Sequence, residues 1–294
     1  MDRNTDVPTT NQPTNQPTNQ PTNQPTIKLF NGDCFEFMKT MPDGQIDCVI
    51  SDPPYNTTDL AFEVAVDWQK WWDEILRITK PKAVVTMFSC QPFTTDLINS
   101  RRALFRYDLI WKKNNPVGHL DAKRRPLRAH EIIVVFSKAG RGSHTYNPVM
   151  RKGNMQIIKI PKPSGHYGGA TGVPGTVSRI SNERYPVSVL EYKNREGQVS
   201  FHPTAKPVDL LRWLVKTYSN PDELIFDPFM GAGSTCEACV WEGRNFVGCE
   251  LDDVYFRTAK KRLAETRRIL RKEPTRLGGA LDLEDLPLFE NMNH

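Results

Sequence analysis

A chain of 294 residues can bury a sizeable apolar core, so a globular domain is the default expectation. Its 39 Lys and Arg residues against 34 Asp and Glu residues leave a formal net charge of +5, which permits a polyanionic partner but is far from a histone-like excess. Six cysteines without a secretory leader predict a reducing cytoplasm rather than a disulfide framework, and no apolar run is long enough to predict a membrane span.

The amino-terminal segment carries four consecutive copies of Asn-Gln-Pro-Thr, from Asn11 to Thr26. Almost no apolar side chain is available there for burial, and a proline in every unit forbids a continuous helix. Residues 1–26 are therefore predicted to be a disordered leader, with ordered structure beginning near Ile27.

Strands and helices alternate in the next part of the chain. Asp47–Ser51 predicts a short buried strand, Trp68–Thr79 has apolar residues at helical spacing, and Ala83–Phe88 predicts another buried strand. Tyr107–Trp111 and Glu131–Phe136 predict two more strands, which are expected to pair as a long-armed hairpin. The loop between them carries a basic run, namely Lys123, Arg124, Arg125 and Arg128.

The composition changes after residue 137. Gly, Pro, Ser, Asn and basic side chains with little periodic hydrophobicity predict an inserted, loop-rich module over residues 138–200. Regular structure is predicted to return as helix Pro207–Tyr218, strand Leu224–Phe226, helix Ser234–Trp241, strand Asn245–Cys249 and helix Val254–Leu270. This alternation predicts a parallel, doubly wound sheet with helices on both faces.

A glycine-rich loop, Asp227-Pro228-Phe229-Met230-Gly231-Ala232-Gly233, lies between a predicted strand and the helix that begins at Ser234. Gly231 and Gly233 would let the backbone turn tightly beside a ligand, and the helix presents free amides at its amino end. Glu250 ends the next strand, where an acid can accept hydrogen bonds from both hydroxyls of a ribose. Because neither a Gly-Lys-Ser/Thr element nor a third glycine follows, a nucleoside cofactor without pyrophosphate, S-adenosyl-L-methionine, fits this loop better than ATP or NAD.

A second constellation, Asp52-Pro53-Pro54-Tyr55, follows the first predicted strand at its carboxyl end, where open parallel sheets bind ligands. An exocyclic amine is a poor nucleophile because its lone pair is delocalised into the ring. The Asp52 carboxylate and the Pro53 carbonyl could hold its two hydrogens out of the ring plane and so direct the lone pair toward a methyl donor. Pro54 stiffens this turn, and Tyr55 offers an aromatic face for a base extruded from a duplex.

Together these residues resemble the amino-methylating DNA methyltransferases of bacteria and phages, specifically the permuted beta group. In that group the catalytic tetrapeptide precedes the cofactor loop, and here Asp52–Tyr55 precedes Asp227–Thr235. The resemblance runs from about Ile27 to Leu270. It implies a Rossmann-like α/β methyltransferase fold with a mostly parallel seven-stranded sheet, helices on both faces and a circularly permuted motif order.

Two shorter elements carry the resemblance further. Gly32-Asp33-Cys34 is similar to the family's acidic motif near the cofactor adenine, and Phe201–Pro207 is similar to its His-Pro-Thr-x-Lys-Pro element, which leads into a helix over the methionine half of the cofactor. Ala205 departs from the glutamine common there. The predicted cofactor-binding residues are Asp33, Thr204, Lys206, Asp227, Phe229, Gly231, Gly233, Ser234 and Glu250. The predicted catalytic residues are Asp52, Pro53, Pro54 and Tyr55, and no metal site is predicted.

The resemblance also implies an organisation and a partner. The expected parts are the leader 1–26, a catalytic half 27–137, a target-recognition region 138–200, a cofactor-binding half 201–272 and a tail 273–294. The implied substrate is double-stranded DNA, bound through phosphate contacts and base edges. Whether the enzyme forms a homodimer, and whether a cognate restriction nuclease accompanies it, stays open.

Methylation of adenine N6 is the leading prediction, because the resemblance associates Asp at the first tetrapeptide position with adenine. Methylation of cytosine N4, where Ser-Pro-Pro-Tyr is commoner, stays open as the alternative. In RNA and protein-glutamine methyltransferases the usual form of the tetrapeptide is Asn-Pro-Pro-Tyr. A nucleic-acid-binding regulator that has lost the chemistry is the non-enzymatic alternative, and the complete tetrapeptide and glycine loop argue against it. Cys236 and Cys239 have a zinc-like spacing, but they fall on one predicted helix without a second pair, which favours a core role.

Overall fold

The computed structural model describes residues 25–55, 66–159, 177–193 and 205–273, and contains ten strands and six α-helices in these ranges. The strands are β1 (Ile27–Asn31), β2 (Ile46–Ser51), β3 (Thr79–Ser89), β4 (Phe105–Val117), β5 (Arg128–Ser137), β6 (Arg151–Lys159), β7 (Val177–Arg184), β8 (Val189–Glu191), β9 (Leu224–Asp227) and β10 (Asn245–Glu250). The helices are α1 (Cys34–Thr40), α2 (Trp68–Ile78), α3 (Phe93–Ser100), α4 (Val208–Tyr218), α5 (Ser234–Trp241) and α6 (Asp253–Lys272).

The main sheet has the strand order β1-β10-β9-β2-β3-β5-β4-β8. Every pair from β1 to β3 is parallel, and β5 then runs antiparallel to both β3 and β4. The predicted α/β fold with a mainly parallel sheet is confirmed, and so is the hairpin of β4 and β5. The described sheet has eight strands rather than the predicted seven, because the short strand β8 pairs with β4 and satisfies backbone groups that would otherwise form an open edge.

Helices cover both faces of the sheet, as the sequence predicts. Along β2, Cys48 and Ile50 point to the face covered by α4 and α5, whereas Val49 points to the face covered by α1, α2 and α3. This alternation is the period of two expected of a strand buried on both sides. On the second face, Trp71 and Trp72 of α2 are fully buried. Full burial of one large apolar side chain contributes roughly 1.5–3 kcal/mol to folding.

The region 138–200 contains more regular structure than the sequence predicts. β6 and β7 form a separate antiparallel hairpin, and β8 belongs to the main sheet. The segment before the hairpin is attached to the core, since the Asn147 amide donates to the Thr217 carbonyl at 2.7 Å. After the hairpin, the Trp111 indole donates to the Tyr192 carbonyl at 2.9 Å. The expectation of a loop-rich module was therefore wrong for these three strands. β6 and β7 are rich in polar residues, and β8 has only three residues, so none of them gives a clear apolar period.

Four predictions fall wholly or partly on residues that the structure does not describe. They are most of the Asn-Gln-Pro-Thr leader, residues 160–176 and 194–200 of the target-recognition region, Phe201–Thr204 of the His-Pro-Thr-x-Lys-Pro element, and the tail after residue 273. In the described ranges, none of the helices has the length and apolar character that crossing a membrane requires.

Candidate active site

The parallel strands end at one edge of the sheet, and this edge collects the predicted site residues. Asn31 at the end of β1 is paired with Glu250 at the end of β10, and Gly248 of β10 is paired with Asp227 at the end of β9. β9 in turn pairs with β2, which ends directly before Asp52. The glycine loop and the tetrapeptide, 175 positions apart at their aspartates, are therefore neighbours at this carboxyl edge.

Asp52 is held by two donors. The Tyr55 hydroxyl donates to Asp52 Oδ1 at 2.7 Å, and Lys206 Nζ donates to Asp52 Oδ2 at 2.5 Å. The Asp52 side chain remains 27% exposed, so one side of the carboxylate faces outward from the turn. The Tyr55 ring stacks on Phe93, with ring centroids 5.4 Å apart and an interplanar angle of 24°. Burial and the nearby Asp52 charge raise the pKa of Tyr55 well above its usual range, which keeps the hydroxyl a donor.

Lys206 belongs to a buried chain of alternating charges. Its side chain is 8% exposed, and its Nζ also lies 3.3 Å from Glu131 Oε2. The other oxygen of Glu131 accepts a hydrogen bond from Lys113. Burial by itself would lower the pKa of Lys206, but the carboxylates of Asp52 and Glu131 outweigh it and raise the pKa above the usual range. Likewise, burial would raise the pKa of Glu131, and Lys206 and Lys113 lower it instead.

The structure thus adds Glu131 and Lys113 to a site for which the sequence predicts neither. A signal for Glu131 was present, because it is a charged residue at the start of a strand that is otherwise apolar. Lys113 carries no comparable signal, since its contact depends on the pairing of β4 with β5, in which Trp111 is opposite Glu131. Lys206 is predicted to bind the cofactor. In the structure its ammonium donates to Asp52, and a contact with the cofactor stays a prediction.

The glycine loop turns tightly and faces Glu250. Gly231 and Gly233 have φ values of 51° and 79°, in the left-handed region that favours glycine. The Gly231 amide donates to Glu250 Oε2 and the Asp252 amide donates to Glu250 Oε1, both at 2.8 Å. A carboxylate offers about four acceptor positions, so Glu250 retains capacity for two ribose hydroxyls. A side chain on Gly231 would meet nothing within 4 Å, which means that the space beside the loop is open.

The chemistry of this loop fits a nucleoside cofactor. The backbone of the loop turns tightly beside an acid, Glu250, at the end of β10. Phosphate loops instead have a lysine directly after their glycines. Ser234 and Thr235 occupy those positions here, and both are buried at the start of α5. Phe229 is partly exposed in the same loop and packs against the apolar cluster of the α1–α3 face.

Asp227 is turned inward. Its side chain accepts hydrogen bonds from the Phe229 amide at 3.1 Å and from Thr235, and the residue is 2% exposed. Burial raises the pKa of Asp227 to about 7, although the hydrogen bonds from Thr235 and Phe229 lower it. The carboxyl group therefore stabilises the loop from inside.

Asp33 caps a helix beside the same edge. Its side chain accepts from the amides of Phe35 at 2.6 Å and Glu36 at 3.4 Å, and so begins α1. The Gly32 amide donates to the Glu250 carbonyl at 2.9 Å, which places this cap next to Glu250. Pro53 is buried and Pro54 partly exposed in the tetrapeptide turn. Cys236 and Cys239 are free thiols buried on α5, as their predicted core role requires.

Comparison with known proteins identifies the family. The DNA methylase family model for N6 and N4 methyltransferases matches residues 46–261. The type II methyltransferase M1.MboII of Moraxella bovis is 27% identical over 248 residues, which cover 79% of this chain and 94% of that protein. The M1.HpyAVI–SAM complex aligns with a TM-score of 0.56 at 24% identity, over 81% of this chain and 99% of that one. The cytosine-N4-specific PvuII DNA methyltransferase aligns with a TM-score of 0.58 at 16% identity, over 90% of this chain and 99% of that one.

The two structural likenesses show the fold, and the family match covers both the tetrapeptide and the glycine loop of this chain. The site combines the acidic turn after β2, the open glycine loop after β9 and the Glu250 carboxylate at the end of β10. The protein belongs to the DNA methylase family of N6 and N4 amino-methyltransferases.

Proposed function

We propose that the protein transfers a methyl group from S-adenosyl-L-methionine to N6 of an adenine extruded from double-stranded DNA. The observation that carries this proposal is the position of Asp52 beside the glycine loop, with part of its carboxylate exposed and the rest held by Tyr55 and Lys206. An acceptor held in this way is suited to an amine that must be turned and activated without a covalent intermediate.

The Asp52 carboxylate has about four acceptor positions, and the Tyr55 hydroxyl and the Lys206 ammonium occupy two of them. One remaining position accepts an N–H hydrogen of the target amine, and the Pro53 carbonyl accepts the other. These two hydrogen bonds turn the amine so that its lone pair points toward the glycine loop. The proton that the amine loses after methylation leaves along the hydrogen bond to Asp52.

Tyr55 and Phe93 form the platform for the base. Because Phe93 supports one face of the Tyr55 ring, an extruded base would stack on the opposite face. Extrusion is required because the amine of a paired base is not accessible inside a duplex.

Exposed basic side chains at the connection between β4 and β5 support DNA as the partner. Arg124 and Arg125 are 85% and 68% exposed there. Val117, whose partner is Arg128, lies four positions beyond Lys113 at the site, so this tip extends roughly 13 Å beyond the site. Side chains at this position can contact phosphates on either side of an extruded base.

On the other side of the site, Glu250 binds the ribose hydroxyls of the cofactor, and the Gly231 region lies against its nucleoside. The chemistry that S-adenosyl-L-methionine supplies when bound is an electrophilic methyl group on a sulfonium sulfur. Asp33, Phe229, Ser234, Thr204 and Lys206 are proposed as further contacts. The six buried, free thiols are compatible with work in the reducing cytoplasm that contains the DNA.

Adenine is preferred over cytosine because the first residue of the tetrapeptide is Asp52. The protein should be expressed in a host that has no N6-adenine methylation of its own, and the nucleosides of host DNA and RNA measured by mass spectrometry. We expect N6-methyladenine in DNA, and much less of it with Asp52→Ala. N4-methylcytosine without N6-methyladenine would refute the preference for adenine, and methylation confined to RNA would refute DNA as the substrate.

A further inference from the structure

Glu131 connects two buried lysines at the edge of the active site. It lies near the start of β5, opposite Trp111 of β4, and this pairing brings Lys113 to the same edge. The side chains of Lys113 and Glu131 are 8% and 10% exposed, and Lys206 is buried to a similar extent. Lys113, Glu131, Lys206 and Asp52 therefore form a continuous chain in which positive and negative charges alternate.

A buried charge is costly unless it is paired, and this chain pairs each of its four members. The position of Lys206 between two carboxylates determines where its ammonium lies. A lysine ammonium is a compact charge on a flexible four-carbon stem, so the anions around it fix its position. Asp52 and Glu131 lie 2.5 Å and 3.3 Å from Lys206 Nζ, and the Phe88 ring centroid lies 5.1 Å from it. Without Glu131, Asp52, which must also receive the substrate, would be the one carboxylate among the described residues within ion-pair distance of this ammonium.

We propose that Glu131 is a positioning residue for methyl transfer, which holds the Lys206 ammonium against Asp52 Oδ2 and so keeps the free acceptor positions of Asp52 directed at the target amine. The inference rests on the proposed role of Asp52 in amine methylation. Lys113 serves Glu131 by pairing with its second oxygen, which keeps the first one turned toward Lys206. Neither residue touches the substrate or the cofactor in this scheme.

The charges around Lys206 give this role a signature in the pH dependence. The groups that face the ammonium are the carboxylates of Asp52 and Glu131 and the rings of Tyr55 and Phe88, with Lys113 beyond Glu131. The carboxylates of Asp52 and Glu131 both raise the pKa of Lys206, so removal of the Glu131 carboxylate must lower that pKa. In such a variant Lys206 loses its proton at a lower pH than in the wild type. Methyl transfer that depends on the ammonium should therefore decline at a lower pH than in the wild type.

Glu131→Gln is compared with the matched control Glu265→Gln. Glu265 forms an ion pair with Arg268 in the second half of α6, and the two side chains are 31% and 58% exposed. We expect Glu131→Gln to lower kcat about 10- to 100-fold with little change in KM for DNA or cofactor, because a misplaced acceptor acts on the chemical step. The alkaline limb of its pH–rate profile should move to lower pH. Glu265→Gln should match the wild type in every respect.

Folding must be separated from positioning, since Glu131→Gln leaves two buried ammonium groups with one carboxylate fewer. If that variant does not fold, Lys113→Met/Glu131→Gln removes one charge of each sign and is measured in its place. Wild-type kcat and an unmoved alkaline limb in the folded variant would overturn the positioning role, and so would a loss of kcat with no shift of the limb. Asp52→Ala measured in parallel separates the two proposals: transfer by that variant at the wild-type rate would overturn both.

Discussion

Two Asp-Pro turns stand on neighbouring strands of the same sheet edge, and the fold treats their carboxyl groups in opposite ways. Asp52-Pro53 directly follows β2, and Asp227 is the last residue of β9, with Pro228 after it. Asp52 is partly exposed and receives a lysine ammonium and a tyrosine hydroxyl. Asp227 is buried, is bonded to neutral donors of its own loop, and has its pKa raised to about 7 by burial.

The Asp-Pro dipeptide and its place at a strand end therefore do not define the role of the acid. The groups that surround each carboxyl group do. A nearby cation makes the Asp52 turn an outward-facing acceptor. Burial among neutral donors makes the Asp227 turn an internal support for the glycine loop.

The largest effect is expected from Asp52→Ala. This change removes the proposed acceptor of the amine hydrogens while leaving the glycine loop intact, so methyl transfer should fall about 10²- to 10³-fold with cofactor affinity retained. Transfer is measured with labelled cofactor on duplex DNA, and cofactor affinity by calorimetry.

Asp43→Ala is the matched control, because Asp43 forms an exposed surface ion pair with Arg77 and lies away from the carboxyl edge. Its transfer rate should equal that of the wild type. If Asp52→Ala transferred methyl groups as fast as this control, the two Asp-Pro turns would not differ in chemical role.

The other turn predicts a change in stability with pH. Because the folded-state pKa of Asp227 is about 7, above the value of 3.8 expected without burial, its contribution to stability is complete below pH 3.8 and is lost as the pH rises through 7. Asparagine resembles the protonated acid and has no such dependence. Between pH 5 and pH 8, Asp227→Asn should therefore gain about 3 kcal/mol of unfolding free energy relative to the wild type.

Urea unfolding of the cofactor-free proteins at several pH values measures this difference. Burial also raises the pKa of Glu250, so Glu250 too makes stability fall as the pH rises. Its contribution is present in both the wild type and Asp227→Asn, and it cancels when their unfolding free energies are compared at each pH. A difference between variant and wild type that stays constant from pH 5 to pH 8 would show that Asp227 is ionised throughout, like an ordinary surface carboxylate.

Much of this edge could be predicted from the sequence. The helix Ser234–Trp241 was predicted with its observed bounds, because a left-handed glycine precedes it and an apolar segment follows. Strands β9 and β10 were predicted to within one residue, since short apolar runs between turn residues mark strands buried on both faces. Helices α1 and α3, of seven and eight residues, were not predicted because so few turns give no clear period; α5 is as short, but the glycine loop before it marks its start.

The ionic chain could not be predicted, because it depends on pairings that the local sequence does not contain. Lys206 reaches Asp52 across 154 positions of the chain, and Lys113 reaches Glu131 only through the pairing of β4 with β5. The sequence motif predicts that Lys206 lies at the site. It does not predict which charged group the ammonium contacts. The inward turn of Asp227 was hidden for the same reason, since the local motif is that of an ordinary ligand loop.

The smallest effect separates the two glycines of the Asp227 turn. An added methyl group at Gly233 would lie 2.8 Å from the Ala259 Cβ and 3.1 Å from its Cα, so α6 would have to move, whereas at Gly231 it would enter open space. An alanine at either position has the cost of a left-handed backbone, and Gly233→Ala should lose about 2 kcal/mol more of unfolding free energy from overpacking.

The open space at Gly231 is where the proposed cofactor would lie, so Gly231→Ala should weaken cofactor binding more than its small loss of stability explains. Denaturant unfolding and calorimetric titration on the same two variants measure these effects. Equal losses of stability, with equal cofactor affinities, would mean that neither glycine faces the ligand.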